Sequence, residues 1–124
     1  MSLDTPTMSK LEATYKKAYP KGVPQAAVVT GWTEAEVMKN VLEKACENKD
    51  LSREGIVKAF RQISSLDTDG LVAGDQDFSQ VGKPSTKQVY VSKINKDATG
   101  GQEVVGEPYT SPNAESYEGP SASS

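Results

Sequence analysis

Few residue types in this chain could do covalent chemistry. There is no His and Cys46 is the sole cysteine, so the inventory removes a Cys–His dyad, a Ser–His–Asp triad, an internal disulfide and a Cys/His zinc cluster. Cys46 falls among apolar positions of helical spacing and reads as a small packed side chain, not a reactive thiol. The acidic stretch "DTDGLVAGD" offers Asp67, Asp69 and Asp75 as hard oxygen donors around Gly70. It lacks the third ligand before the glycine and the closing bidentate Glu of a calcium loop, so it reads as a turn. "GKPST", Gly82 to Thr86, has the GK pair of a phosphate loop, but the upstream glycine is missing and Pro84 removes an amide. Glu36, Glu43 and Glu47 could supply paired carboxylates, yet they lie near lysines and read as a solvated helix face. No catalytic residue, metal ligand or cofactor site emerges, and the chain is read as not an enzyme.

Composition is consistent with that reading. The 124 residues carry a net charge of −3, and the 14 lysines and arginines all lie in the first 96 residues, interleaved with acids. No basic patch or stripe results, which argues against nucleic acid as a partner. Asp97 to Ser124 has acids and no base. No signal peptide is recognisable in "MSLDTPTMSK", and no apolar run approaches the ~20 residues of a membrane span.

Three helices are expected. In "DTPTMSKLEATYKKAY", Asp4 or Thr5 can cap, Pro6 suits the first turn, and Met8, Leu11, Tyr15 and Ala18 share a face. Gln25 to Gly31 is either a buried strand or the lead-in to the next helix. Thr33 with Glu36 matches a capping box, which would start the second helix there; its apolar stripe is Val37, Met38, Val41, Leu42, Ala45 and Cys46. The third helix is capped by Ser52 and buries Ile56, Val57, Phe60 and Ile63. Gly55 weakens it and implies either a close neighbour or tolerance. A brief strand is expected near Gly70 to Ala73. Lys87 to Ile94 alternates as a strand, followed by a turn at "NKDATGG" and a weaker strand at "QEVVG", forming a hairpin. Residues 1–106 read as one domain, and 107–124 as an acidic, extended or flexible tail with no core of its own.

The ordered series "DTPTMSKLEATYKKAYP", "GWTEAEVMKNVLEKA", "DLSREGIVKAFRQI", "LDTDGLVAGDQDFS" and "PSTKQVYVSKIN" resembles the C-terminal part of type 1 periplasmic binding proteins. These are the extracytoplasmic solute-binding components of branched-chain amino acid and related ABC transporters. The resemblance covers about Asp4 to Asn95. It implies an α/β fold, a partial periplasmic-binding-protein-like lobe of three helices plus a short C-terminal β-hairpin. It also implies a parent protein that binds an amino acid or similar small molecule and presents it to a membrane permease outside the cytoplasm. Thr30, Gly31 and Trp32 would line the interlobe cleft, with Gly31 permitting close backbone approach and Trp32 either touching ligand or, as preferred, supporting the cleft wall. Family members are much longer, so the chain looks like a fragment. The apolar faces of its second and third helices would then be uncovered and favour self-association. The competing reading is a stand-alone interaction or self-associating protein with no ligand pocket. A weaker third reading is an enzyme using carboxylates alone.

Overall fold

The computed structural model describes residues 3–120. Its elements run α1 (Pro6–Ala18), α2 (Ala26–Glu47), α3 (Arg53–Phe60), β1 (Ser92–Ile94), a 3-10 turn (Thr99–Gly101), β2 (Gln102–Val104) and α4 (Pro112–Ser116). Helix α1 starts as its sequence dictates: the Thr5 hydroxyl accepts from the Met8 amide, and Pro6 occupies the first turn, where no amide is needed. It buries Met8 and Leu11.

Helix α2 begins a full two turns before the expected capping box. Gln25, extended and without a side-chain cap, precedes Ala26, so Gln25 to Gly31 resolves as helix. Thr33 is interior, and its hydroxyl donates to the Val29 carbonyl at 3.0 Å instead of accepting at an N-terminus. The reason is tertiary: Val29 packs with Met8, Leu11 and Leu71, flanked by Val28 and Trp32. Burying that face outweighs the lost cap, worth about 1 kcal/mol. Farther along, Val41 and Ala45 pack with Ala59 in a second cluster bordered by Val37, Ile56, Phe60 and Ile63. One helix therefore carries both cores.

The second cluster differs from expectation in which side chains it takes. Gly55 and Ala59 are the buried residues of α3, while Val57 is 56% exposed. Small residues at 45, 55 and 59 let the two helices approach closely, which turns Val57 outward. On α2, Met38, Leu42 and Cys46 are likewise exposed, so Cys46 is a surface thiol and not a packed one. Phe60 stacks on Phe78 with ring centroids 4.7 Å apart, and the Arg61 guanidinium donates to the Phe78 carbonyl, pinning the following loop to α3.

That loop, not a strand, occupies Gly70 to Ala73. Only Leu66 and Gln76 pair there, through reciprocal amide–carbonyl bonds of 3.0 Å. The hairpin forms with Ser92 opposite Val104 and Ile94 opposite Gln102, but the regular strand is short, three residues on each side. Beyond it the pairing resumes at Val89 and Tyr109, whose amides and carbonyls exchange two 2.9 Å bonds. Residues 107–120 bury no side chain, in keeping with their composition, yet they lie along the fold: α4 is capped by Ser111, Lys87 donates to the Glu115 carbonyl, and Lys83 pairs with Glu118.

Two glycine-related predictions of opposite sign follow from the α2–α3 corner. A Cβ at Gly55 would run into the backbone carbonyl and carboxylate of Asp50. Gly55→Ala therefore destabilises by about 1–3 kcal/mol despite alanine's better helix propensity. Lys49 ends α2 at φ 57°, with its amide donating to Cys46 and that of Asp50 to Ala45. Lys49→Gly removes the left-handed strain and raises stability by up to about 1 kcal/mol. Denaturant unfolding of the two variants checks both signs.

The segment around α4 also responds to pH. The hydrogen bond from Lys83, with the charge of that lysine and of Lys87, holds the Glu118 carboxyl below its ordinary value. A depressed folded value means that the contact contributes fully above the unfolded carboxylate range, near pH 4.3, and is lost as pH falls through the lower folded value. Amide exchange over Ser111 to Glu118 should accelerate as pH drops below about 4 after correction for intrinsic exchange rates, and Glu118→Gln should abolish that extra acid response.

Candidate functional site

Trp32 is the sequence-predicted residue that the fold places at a recess. It lies on the α1-facing side of α2, half-buried against the first core, and lines a cavity of about 220 Å³. Its indole Nε1–H is buried and has no hydrogen-bond partner. Such a donor costs about 1–3 kcal/mol when left unmet. Thr30 and Gly31 are placed differently. Both are exposed on α2; the Thr30 hydroxyl donates to the Ala26 carbonyl, and a Cβ at Gly31 would meet nothing within 4 Å. Gly31 is thus not required for close backbone approach within this chain.

Three separate segments build the recess around Trp32: Thr7 and Lys10 from α1, Glu36, Lys39 and Asn40 from the next turns of α2, and Leu66 to Asp69 from the loop. The loop wall is stiffened by its own acids. Asp67 accepts from the Asp69 amide at 2.8 Å, and the Thr68 hydroxyl accepts from Val72 at 3.0 Å. Asp69, at φ 51°, takes the Thr7 hydroxyl at 2.8 Å and so ties the loop to α1. These bonds account for the "DTDG" sequence as a turn. Behind it the Tyr90 hydroxyl donates to the Gly70 carbonyl at 2.8 Å, joining the hairpin strand to the same loop. Burial, then the charges of Asp67 and Glu107, raise the Tyr90 phenol above its ordinary value and keep it a donor.

The recess carries charge of both signs. Lys39 lies 3.8 Å from Glu36, whereas Lys10 has no ion-pair partner among the described residues. The cations can meet a carboxylate, and Glu36, Asp67 and Asp69 can meet an ammonium group. Nothing in the recess resembles a nucleophile with its base. Among the described residues no group of three or more His, Cys, Asp or Glu side chains is placed to hold a metal ion, and no helix is long and apolar enough to cross a membrane. A second, larger concavity of about 500 Å³ lies on the opposite flank of α2, walled by Val37, Met38, Val57, Phe60 and Phe78. Its surface is mostly apolar, with Thr33, Glu34 and Gln76 as the polar residues of its wall.

Among solved structures the chain is similar to a fatty acid ABC transporter substrate-binding protein from Thermomonospora curvata, at 37% identity and a TM-score of 0.86. The fold is part of a periplasmic-binding-protein-like α/β lobe. The likeness covers 96% of this chain and 30% of that one, so the chain spans less than a third of the length of the protein it matches. That neighbour is the substrate-binding component of a transporter. No protein-family model matches the sequence, and no curated protein matches it.

The sequence pattern singles out Trp32 but none of the residues that surround it in the recess. Lys10 and Asn40 carried no signal, because each is one polar residue on an amphipathic helix; their convergence with the loop is a property of helix packing alone. The tie from Thr7 to Asp69 can be tested directly. Asp69→Ala places a Cβ-bearing residue with no local acceptor in the left-handed region and frees the Thr7 hydroxyl, and should cost about 2 kcal/mol in denaturant unfolding. Asp69→Asn, which keeps an acceptor and tolerates the backbone, should cost less than half as much.

Proposed function

We propose that this chain is the C-terminal portion of the solute-binding component of an ABC transporter. The parent protein captures a small carboxylic acid outside the cytoplasm and presents it to a membrane permease, without covalent chemistry or a cofactor. The observation that carries this reading is the likeness, at 37% identity over 96% of the chain, to a fatty acid ABC transporter substrate-binding protein. The amino acid expected from the sequence and the fatty acid in the neighbour's title share a carboxylate, and the Trp32 recess has the donors for one. Trp32, with Thr30 and Gly31 preceding it on α2, forms one wall of the ligand cleft in this reading. Trp32 is the member whose ring lines a cavity, and Lys10 and Lys39 supply the cations.

The chain has one tryptophan, so its emission reports on this site alone. Titration with a panel of medium- and long-chain fatty acids and of amino acids should change that emission for one of the two classes and raise the melting temperature with it. Lys10→Ala removes the recess cation that has no ion-pair partner among the described residues; affinity for the responding class, followed by calorimetry, should be weaker by up to about tenfold. Neither class shifting emission or melting would overturn the assignment of this recess to a carboxylate.

One observation favours a second reading, an interaction protein without a ligand pocket: the apolar concavity between α2 and α3 is larger than the polar recess and leaves Val57 and Met38 in solvent. A cooperative ligand-dependent melt separates the two, since a pure interaction module has no reason to respond to either acid.

A further inference from the structure

We infer that Lys83 and Lys87 form a small-oxyanion site that the chain closes upon itself: the Glu118 carboxylate occupies it, and a free oxyanion taking its place releases residues 111–119 as a strap. The loop from Gly82 to Lys87 supplies both cations, which with Asp77, Gln80, Pro84 and Glu118 line a cavity of about 250 Å³. Lys83 pairs directly with Glu118, and Lys87 donates to the Glu115 carbonyl at 2.7 Å. Both lysines act on one carboxylate, because the hydrogen bond from Lys83 and then the charges of Lys83 and Lys87 hold Glu118 below its ordinary value.

The two sides of this contact are built unequally. The lysine loop is fixed by bonds in which the strap takes no part. The Asp77 amide donates to the Ser85 carbonyl at 2.8 Å, the Ser85 hydroxyl to the Gln76 side chain at 2.9 Å, and the Thr86 hydroxyl to the Ala73 carbonyl at 3.0 Å. Gln76 and Ala73 are themselves buried, so the cations keep their places when Glu118 leaves. The strap has no such support. None of residues 111–119 is buried, and the Glu118 side chain is 75% exposed. Exposed ion pairs of this kind are weak. At its end the strap passes so close to the loop that a Cβ at Gly119, where φ is 90°, would run into the Gly82 carbonyl. The carboxylate is kept near by its tether, since the strap follows directly on the Val89–Tyr109 pairing. A short tether gives a local concentration on the order of millimolar, which a free anion must rival. Departure of Glu118 leaves two cations against one carboxylate, Asp77, which already accepts from the Ser79 amide and hydroxyl at 2.8 and 2.6 Å. The vacated cavity therefore stays positive and suits a compact, doubly charged oxyanion better than chloride. Neither lysine lines the Trp32 recess, so this inference is independent of the ligand reading.

The test is two-dimensional NMR on the isotopically labelled chain, with phosphate replacing chloride at constant ionic strength. Saturable shifts at residues 82–87 should appear with a midpoint on the order of ten millimolar, and amide protection at Ser111 to Glu118 should fall with the same midpoint. Glu118→Gln removes the competing charge, whereas Gly119→Ala loosens the strap without touching any charge; each should tighten phosphate binding several-fold. Lys83→Ala should abolish the saturable response while the resonances of both cores stay in place. Equal responses to phosphate and chloride would mean that salt only screens the pair, and would overturn the inference. So would saturable shifts at 82–87 with the strap still protected, or a phosphate affinity that neither Glu118→Gln nor Gly119→Ala changes.

Discussion

The structure depends on one constraint, that α2 must be helical along its whole length so that its two halves can serve two cores. Its first turns bring Val29 and Trp32 against α1 and Leu71, and its last turns bring Val41 and Ala45 against α3. Among the described residues, this helix of 22 residues, about 33 Å long, is the only rigid element that reaches both. Neither core is large: eight apolar residues are buried in all among those described. Much of the stability must therefore come from holding the two small clusters in fixed relation, and a break in α2 would uncouple them. This is why a threonine that is well suited to start a helix at position 33 sits in its interior, and why an exposed glycine at 31 is carried at a cost of about 1 kcal/mol.

The same helix organises the surfaces. Its α1 side presents Trp32 to a polar recess whose far wall is a turn stiffened by Asp67, Thr68 and Asp69. Its α3 side opens into an apolar concavity, and its outward side carries the Met38–Leu42 stripe. Polar and apolar surfaces are thus separated by rotation about a single axis, with Lys39 at the border between the recess and the stripe. The long loop from Gln62 to Gln88 has almost no regular structure, yet it is held by side chains. Arg61 and Phe60 grip Phe78, buried Gln76 bonds Gly74 and Ser85, and Tyr90 bonds Gly70. Where ladder bonds are few, buried polar groups must find such partners, and the density of Ser, Thr, Gln and Asp in this loop is the means.

Only local chemistry was legible in advance. The caps at Thr5 and Ser52, the exclusion of His- and Cys-based catalysis, the hairpin around "NKDATGG" and the reading of "DTDG" as a turn all rest on residues within a few positions of one another. The order of segments that resembled a periplasmic binding protein is in agreement with the α/β lobe and its solved neighbour. Expectations failed wherever the outcome depended on a partner distant in the chain. The capping box yielded to Met8 and Leu11, the strand at Gly70 to Ala73 to the Leu71 contact with the first core, and the apolar stripe of α2 to the narrow approach that Gly55 and Ala59 allow.

The sequence by itself determined where segments of helical period occur, that histidine and paired cysteines are missing from these residues, and which ends are capped, because each is fixed by side-chain type and near spacing. Only the tertiary structure decided which part of each apolar face is covered. It also decided that Cys46, Met38 and Leu42 look outward, and that Lys10, Trp32 and Asp69 meet at one recess. The physical reason is that a helix's pattern states how much apolar surface it offers, whereas the depth and rotation at which it docks are set by the size of the residues it meets.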